Sequence, residues 1–287
     1  MAALDGNGAL RAPRPAASPP LLAAIGGAGP ESFRRGSTYH RRTVAEPSNA
    51  AADPTPPSGP SPKKLSRQAR KARARKQSGR RLFAFDREIG NRWVAGADEA
   101  GRGSLAGPIV AAAVLFDLDR LTLGDRRALS RLNDSKQHTE ESREALFPLV
   151  MRAAARAAIV SRSVRAIDSR GLHVSNLDAL RSALQAVACP GTTCLVDGFN
   201  VPAMEHEQRA VIDGDCRSAA IAAASVLAKV SRDRYMRRIH EEHPQWDFAT
   251  NVGYSTPEHR AAIAAHGVSP LHRMSFASIA YNQLKLA

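Results

Sequence analysis

Two apolar runs of strand length stand out along the chain. Val94–Asp98 and Ile109–Phe116 are built largely from small and β-branched residues, and each is too short for a helix of ordinary length. Between them lie Gly101, Gly103, Gly107 and Pro108, the composition of a tight turn. The pattern predicts strand, turn, strand, preceded over 83–93 by a short approach segment of one or two helical turns.

Beyond Leu132–Lys136, which reads as a polar turn, the period changes. Thr139 followed by Glu140 and Glu141 marks a helix start, because acids in the first turn face the positive end of the helix dipole. That helix runs to Ala155, and Pro148 is expected to kink or split it. Ala157–Val164 returns to a strand pattern, and 167–171 to a short turn or helical piece. Leu177, Leu180, Leu184 and Val187 recur at helical spacing, so 175–187 forms an amphipathic helix that Pro190-Gly191 stops. Thr193–Val196 is a short buried strand ending at Asp197-Gly198, and Val211–Asp213 a second short strand. A long helix follows from Arg217 to His243, with a small-residue face at Ala219, Ala220, Ala222, Ala223, Ala224 and Ser225 that permits close approach to a neighbour. Thr256 as cap and Pro257 at the first helical position open a last helix to Ala265, closed by Gly267. The alternation describes an α/β fold with helices gathered towards the C-terminus and no internal repeat.

Upstream the pattern fails. Residues 1–62 hold 11 of the 18 prolines and show no hydrophobic period, so this stretch is expected to be disordered. Residues 63–81 then carry ten basic and no acidic side chains, an arm suited to salt-sensitive contact with a polyanion or else a merely solvated extension. Charge follows this division. The chain carries +14, but 1–81 holds 16 of the 41 lysines and arginines and 4 of the 27 acids, a balance of +12 against +2 for 82–287. The expected organisation is an extension over 1–81 and one catalytic domain over 82–287.

The chemistry sits where elements end. Asp98 and Glu99 close the first strand, Asp197 closes a later one, and Asp215 follows Gly214 at the mouth of the long helix. Carboxylates beside a core repel one another unless a cation joins them, and hard divalent ions prefer oxygen donors. One tension stands: adjacent strand residues face opposite ways, so Asp98 and Glu99 reach one ion only if the chain reorients near Glu99. A rival reading takes Gly101-Arg-Gly-Ser-Leu-Ala106 as a dinucleotide fingerprint. The strand-like run after Pro108, where that fingerprint needs a helix, and the two acids ahead of the turn argue against it.

The blocks Asp98–Pro108, Asn133–Lys136, Leu195–Gly198, Gly214–Ser218, Ile221–Arg234, Gly253–Thr256 with His259, and Leu271–Phe276 resemble ribonuclease HII, in the family's order. The resemblance implies an RNase H-like fold, a mixed β-sheet flanked by helices with a helical C-terminal part. It implies an endonuclease cleaving the RNA strand of RNA–DNA hybrids and incising 5′ of single ribonucleotides in duplex DNA. It implies Asp98, Glu99, Asp197 and Asp215 as catalytic metal ligands, holding Mg²⁺ or Mn²⁺, two ions during catalysis. Gly101, Arg102, Gly103 and Tyr254 are implied to read the ribose 2′-OH, and Lys136 and Arg217 to meet phosphates. Ser104, Gln137-His138 and Cys216-Arg217 depart from the family pattern, none at the acids. Two alternatives stand beside this reading: an RNase H-like nuclease without ribose selectivity, and a catalytically silent nucleic-acid-binding protein.

Other residues invite less. Cys189, Cys194 and Cys216 lack ligand spacing and cannot all pair, which suits packing roles in a reducing, cytoplasmic setting. No secretory signal and no membrane-spanning run is expected, and nothing demands more than a monomer. His259 and His272 are expected to pack and hydrogen-bond, Arg232, Asp233 and Arg234 to form a surface or intra-helix charge group, and Trp93 and Trp246 to pack.

Overall fold

The computed structural model describes residues 79–132, 138–276 and 281, together with the backbone of 22–24. Within the predicted extension, Leu22–Ala24 forms a three-residue strand, β1; the remainder up to residue 78, including most of the basic arm, lies outside the described residues. Helix α1 spans Gly79–Glu88, and strands β2 (Trp93–Ala100) and β3 (Ile109–Asp117) follow. Next come α2 (Leu123–Ala128), α3 (Glu140–Ala153), β4 (Arg156–Arg162), α4 (Val164–Arg170) and α5 (Leu172–Val187). Strands β5 (Thr192–Asp197) and β6 (Gln208–Val211) precede the long helix α6 (Ala219–Glu242), and the short α7 (Phe248–Asn251) and α8 (Pro257–His266) close the described fold.

The sheet order is β1-β4-β3-β2-β5-β6. β3 pairs antiparallel with both β2 and β4, whereas β5 runs parallel to β2, and β6 parallel to β5. This is the mixed sheet flanked by helices that the resemblance implies. Every residue of β3 is buried, because helices cover both faces of the central strands. On one face Val94, Ala112, Val114 and Phe116 pack beneath α6; on the other Ala95, Ala97, Ala113 and Leu115 pack beneath α5. A third cluster, with Leu105, Met236, Trp246, Phe248 and Ile263, ties the C-terminal helices to the turn after β2.

The small-residue face of α6 does what its composition predicts. Ala219 to Ala224 are fully buried, and a Cβ added at Gly96 of β2 would fall onto the backbone of Ala220 and Ile221. Helix and strand are therefore in backbone contact, which only glycine at 96 permits. Ser218 caps α6, accepting from Ile221 N at 3.2 Å, and buried Asp86 on α1 accepts from Ala220 N at 2.9 Å.

Several expectations need correction. Pro148 lies inside an unsplit α3, whose cap is Thr139 as expected. The helical piece expected at 167–171 is a helix over 164–170, and the second short strand is 208–211 rather than 211–213, because Asp213 adopts a left-handed conformation (φ 54°) incompatible with a strand. Helix α2, opened by a Thr122–Asp125 capping box, had no counterpart in the hydrophobic pattern because none of its residues is buried. Among the described residues no helix is long and apolar enough to cross a membrane. No disulfide joins Cys189, Cys194 and Cys216.

Candidate active site

The acids meet at one end of the sheet. Ala97 pairs with Val196 in the parallel β2–β5 register, so Asp98 and Asp197 follow on neighbouring strands at one level. Asp215 sits in a single 3₁₀ turn, 214–216, that leads into α6. Gly214 N donates to Asp197 Oδ1 at 2.7 Å, joining that turn to the end of β5. β2 extends to Ala100, two residues beyond expectation, and the chain turns only at Gly101 (φ 88°). The predicted tension at Glu99 is thus resolved by reach at a strand end: Asp98 and Glu99 leave opposite faces, yet both line one cavity.

That cavity, of about 300 Å³, is lined by Asp98, Glu99, Asp197, Ser225, Lys229, Tyr254 and the turn Gly101–Gly103. Asp98 is nearly inaccessible, and its carboxyl is pushed well above the usual carboxylate range. Burial is the first cause; the charges of Glu99, Asp197 and Asp215 add to it, and a hydrogen bond with Ser225 opposes them. Glu99 N donates to Asp98 Oδ1 at 2.7 Å. Glu99, Asp197 and Asp215 are therefore each within electrostatic reach of Asp98. They do not yet form a closed cage: among the described residues no three His, Cys, Asp or Glu side chains converge as a preformed metal site. The donor set still suits a hard divalent cation, since it offers only carboxylate oxygens and the crowding at Asp98 is what such an ion relieves.

Two buried arginines hold the glycine turn and the segment before Tyr254. Arg232 donates to Pro108 O (3.0 Å), Val252 O (2.9 Å), Ala106 O (3.0 Å) and Ser104 Oγ (2.7 Å), and its guanidinium lies 5.4 Å from the Tyr254 ring centroid. Arg273 donates to Gly107 O at 2.9 Å and Arg102 O at 3.2 Å. Leu105 N and Ala106 N donate to Gly253 O. The glycine turn and the Tyr254 segment are thus one tied unit. Ser104 donates to Gly101 O at 2.8 Å and so closes the turn through its hydroxyl.

Each predicted residue can now be placed. Asp98, Glu99, Asp197, Gly101, Arg102, Gly103 and Tyr254 share the cavity, and Asp215 lies close behind them. Arg102 is half-exposed, 3.6 Å from Glu99 and over the ring of Phe199. Arg217 lies apart, stacked over Phe85 in a separate groove with Arg209 and Val211. Lys136 lies outside the described residues. Of the surface or intra-helix charge group expected of Arg232, Asp233 and Arg234, Asp233 makes an intra-helix pair with Lys229 at 2.7 Å, but it and Arg232 are buried and only Arg234 is at the surface, bonded to Glu144. Ser225 and Lys229 are cavity residues the sequence reading missed. Their one local signal was a spacing of four on α6, which puts them on one helical face.

The comparisons with known proteins point one way. A sequence model of ribonuclease HII matches residues 95–279. The ribonuclease HII of Rhizobium johnstonii is 48% identical over 197 residues, covering 68% of this chain and 82% of that protein. Among solved structures, the ribonuclease H2 of Pyrococcus horikoshii matches with a TM-score of 0.58 at 24% identity, over 68% of this chain and 98% of its own, a likeness of fold. The PCNA:RNase HII complex from Archaeoglobus fulgidus contributes a match with a TM-score of 0.52 at 27% identity, over 63% and 92%.

Proposed function

The chain belongs to the ribonuclease HII family, and from that premise we propose that it cleaves the RNA strand of RNA–DNA hybrids and incises duplex DNA 5′ of a single ribonucleotide. The observation that carries this reading is the shared cavity, which carboxylates line together with a glycine turn tied to the segment of Tyr254. Acids alone describe many phosphodiesterases. The glycine turn and Tyr254 add a means of sensing the sugar, and the 2′-OH is the group that tells RNA from DNA.

In this reading Asp98, Glu99, Asp197 and Asp215 hold Mg²⁺ or Mn²⁺. When bound, such ions would supply Lewis acidity for phosphodiester hydrolysis, consistent with 5′-phosphate and 3′-hydroxyl products. The chain's own groups do the rest. Ser225 orients Asp98, and Gly214 N–H orients Asp197. The backbone of Gly101–Gly103 presents polar groups to the ribose, and the Tyr254 ring stacks on the sugar beside the scissile phosphate. Lys229, 5.5 Å from that ring, balances phosphate charge at the cavity mouth. Lys136 and Arg217 contact phosphates further along the duplex, and the basic residues of 63–81 add sequence-independent affinity to the domain formed by 82–287.

The test compares wild type with Asp98→Asn on a hybrid in Mg²⁺ and in EDTA. Cleavage is expected only for wild type with metal, with hybrid binding by the variant within about threefold. Substantial turnover by Asp98→Asn removes Asp98 from the metal site.

A further inference from the structure

The segment carrying Tyr254 is held by more than the arginine ties. Its carbonyl oxygen meets His259 Nδ1 at 2.8 Å, His259 Nε2 meets His272 Nε2 at 3.1 Å, and His272 Nδ1 meets Ser269 N at 2.9 Å and Ser269 Oγ at 2.8 Å. A backbone N–H can only donate, so His272 Nδ1 is an acceptor and its proton is on Nε2. His272 Nε2–H then donates to His259 Nε2, leaving the proton of His259 on Nδ1, where it donates to Tyr254 O. Leu271 N occupies Ser269 Oγ as an acceptor at 3.2 Å, which turns the hydroxyl proton towards His272. Every proton in the chain of bonds has one place.

We propose that His259 and His272 are positioning residues, a one-directional relay of neutral imidazoles that fixes the Tyr254 backbone, and thereby its ring, in the cavity. The inference rests on the substrate role given to Tyr254 above. The surroundings keep the relay uncharged. Both imidazoles are buried, against Phe248 with centroids at 5.6 and 5.9 Å, and Trp246 and Tyr281 lie beside His272. Burial lowers the pKa of both, that of His272 to about 4. A charged pair of facing Nε2–H groups would break the relay at its centre. Tyr254 N donates to Asn251 O, and Thr256 N donates to the Tyr254 carbonyl, so His259 is the second donor on that oxygen and fixes its direction together with Thr256.

Two measurements on the full chain test this. Nitrogen-15 NMR of labelled histidines at neutral pH is expected to show His272 protonated at Nε2 and His259 at Nδ1. The reverse tautomers, or averaging between them, overturn the relay. Kinetics on a duplex with one ribonucleotide supply the second test. His259→Ala is expected to raise KM about tenfold with kcat within about twofold. His259→Asn, whose amide places a donor near the lost Nδ1, is expected to restore KM to within about threefold. Should His259→Ala not fold, the Asn variant decides, a tenfold rise in its KM counting against the relay. In a Tyr254→Ala background, adding His259→Ala is expected to change nothing further. A full additional loss there means that His259 acts through the fold and overturns the proposal. If Tyr254→Ala alone leaves KM unchanged, the substrate role of Tyr254 falls, while the tautomers still judge the relay itself.

Discussion

Adding one methyl group at Gly96, two residues before Asp98 and on the same face of β2, is the most revealing perturbation of this fold. The added Cβ would overlap the backbone of Ala220 and Ile221, and even the carbonyl oxygen of Ala220 is only 2.6 Å away. Ordinary carbon contacts begin near about 3.5 Å, so strand and helix must part by roughly 1 Å. No flexible side chain can absorb that shift, because the opposing atoms are main chain in the first turn of α6, fixed by Ser218 and Asp86. Overpacking a core typically costs about 1–3 kcal/mol, and a backbone clash belongs at the upper end. For a folded region of this size, about 3 kcal/mol lowers the melting temperature by roughly 6–12 °C. The functional effect is larger, because α6 carries Ser225 and follows directly from Asp215, both facing Asp98. A misplacement of about 1 Å at such a site costs on the order of a hundredfold in rate. Gly96→Ala should therefore lose both quantities, read by thermal unfolding and by initial rates of hybrid cleavage in Mg²⁺. A melting temperature within about 2 °C of wild type, together with an undiminished rate, would refute the backbone contact as the device that aligns the acids.

Two further substitutions probe the supports of the site. Burial raises the Asp86 carboxyl from 3.8 to about 7, so between those values the folded chain holds a proton that the unfolded chain has lost. Its contribution to stability is therefore full below about pH 4 and is lost as pH rises through about 7, an upper bound of roughly 4 kcal/mol. Asp86→Asn, neutral at every pH, should unfold like wild type at pH 4 and at higher urea than wild type at pH 8; equal midpoints at pH 8 count against a strained buried carboxyl. Arg232→Lys keeps the charge but cannot reach all four acceptors, leaving buried carbonyls without donors at about 1–3 kcal/mol each. It should lose roughly 3–5 kcal/mol in chemical denaturation, and near-wild-type stability would show that the arginine ties are dispensable.

Much of this architecture was legible from local pattern. The two strands around the glycine turn, the cap at Thr139, the small face of α6 and the Thr256-Pro257 helix start all follow from short-range chemistry. The acids were legible because each ends an element, and the family blocks joined them. What escaped depends on distant partners. Arg232 and Arg273 are polar positions whose burial is decided by carbonyls 124 to 171 residues away, and no nearby residue signals it. Charge alone therefore pointed Arg232 and Asp233 to a surface or intra-helix charge group. The resemblance implied a phosphate contact for Arg217, and its guanidinium lies over Phe85, apart from the cavity. Gly96 looked like an ordinary glycine in a strand until the register of α6 against β2 gave it a purpose. The shift of β6 came from a backbone conformation at Asp213 that composition does not reveal.

The central claim is that one cavity joins a metal-dependent cutting site to a reader of the ribose. Its most direct test is a pair of DNA duplexes identical except for one 2′-hydroxyl, incubated with the protein in Mg²⁺ or Mn²⁺ and mapped at single-nucleotide resolution. The account predicts one incision, 5′ of the ribonucleotide, leaving a 3′-hydroxyl and a 5′-phosphate, with the all-deoxy duplex intact. Cutting of both duplexes alike, or of neither, would contradict it.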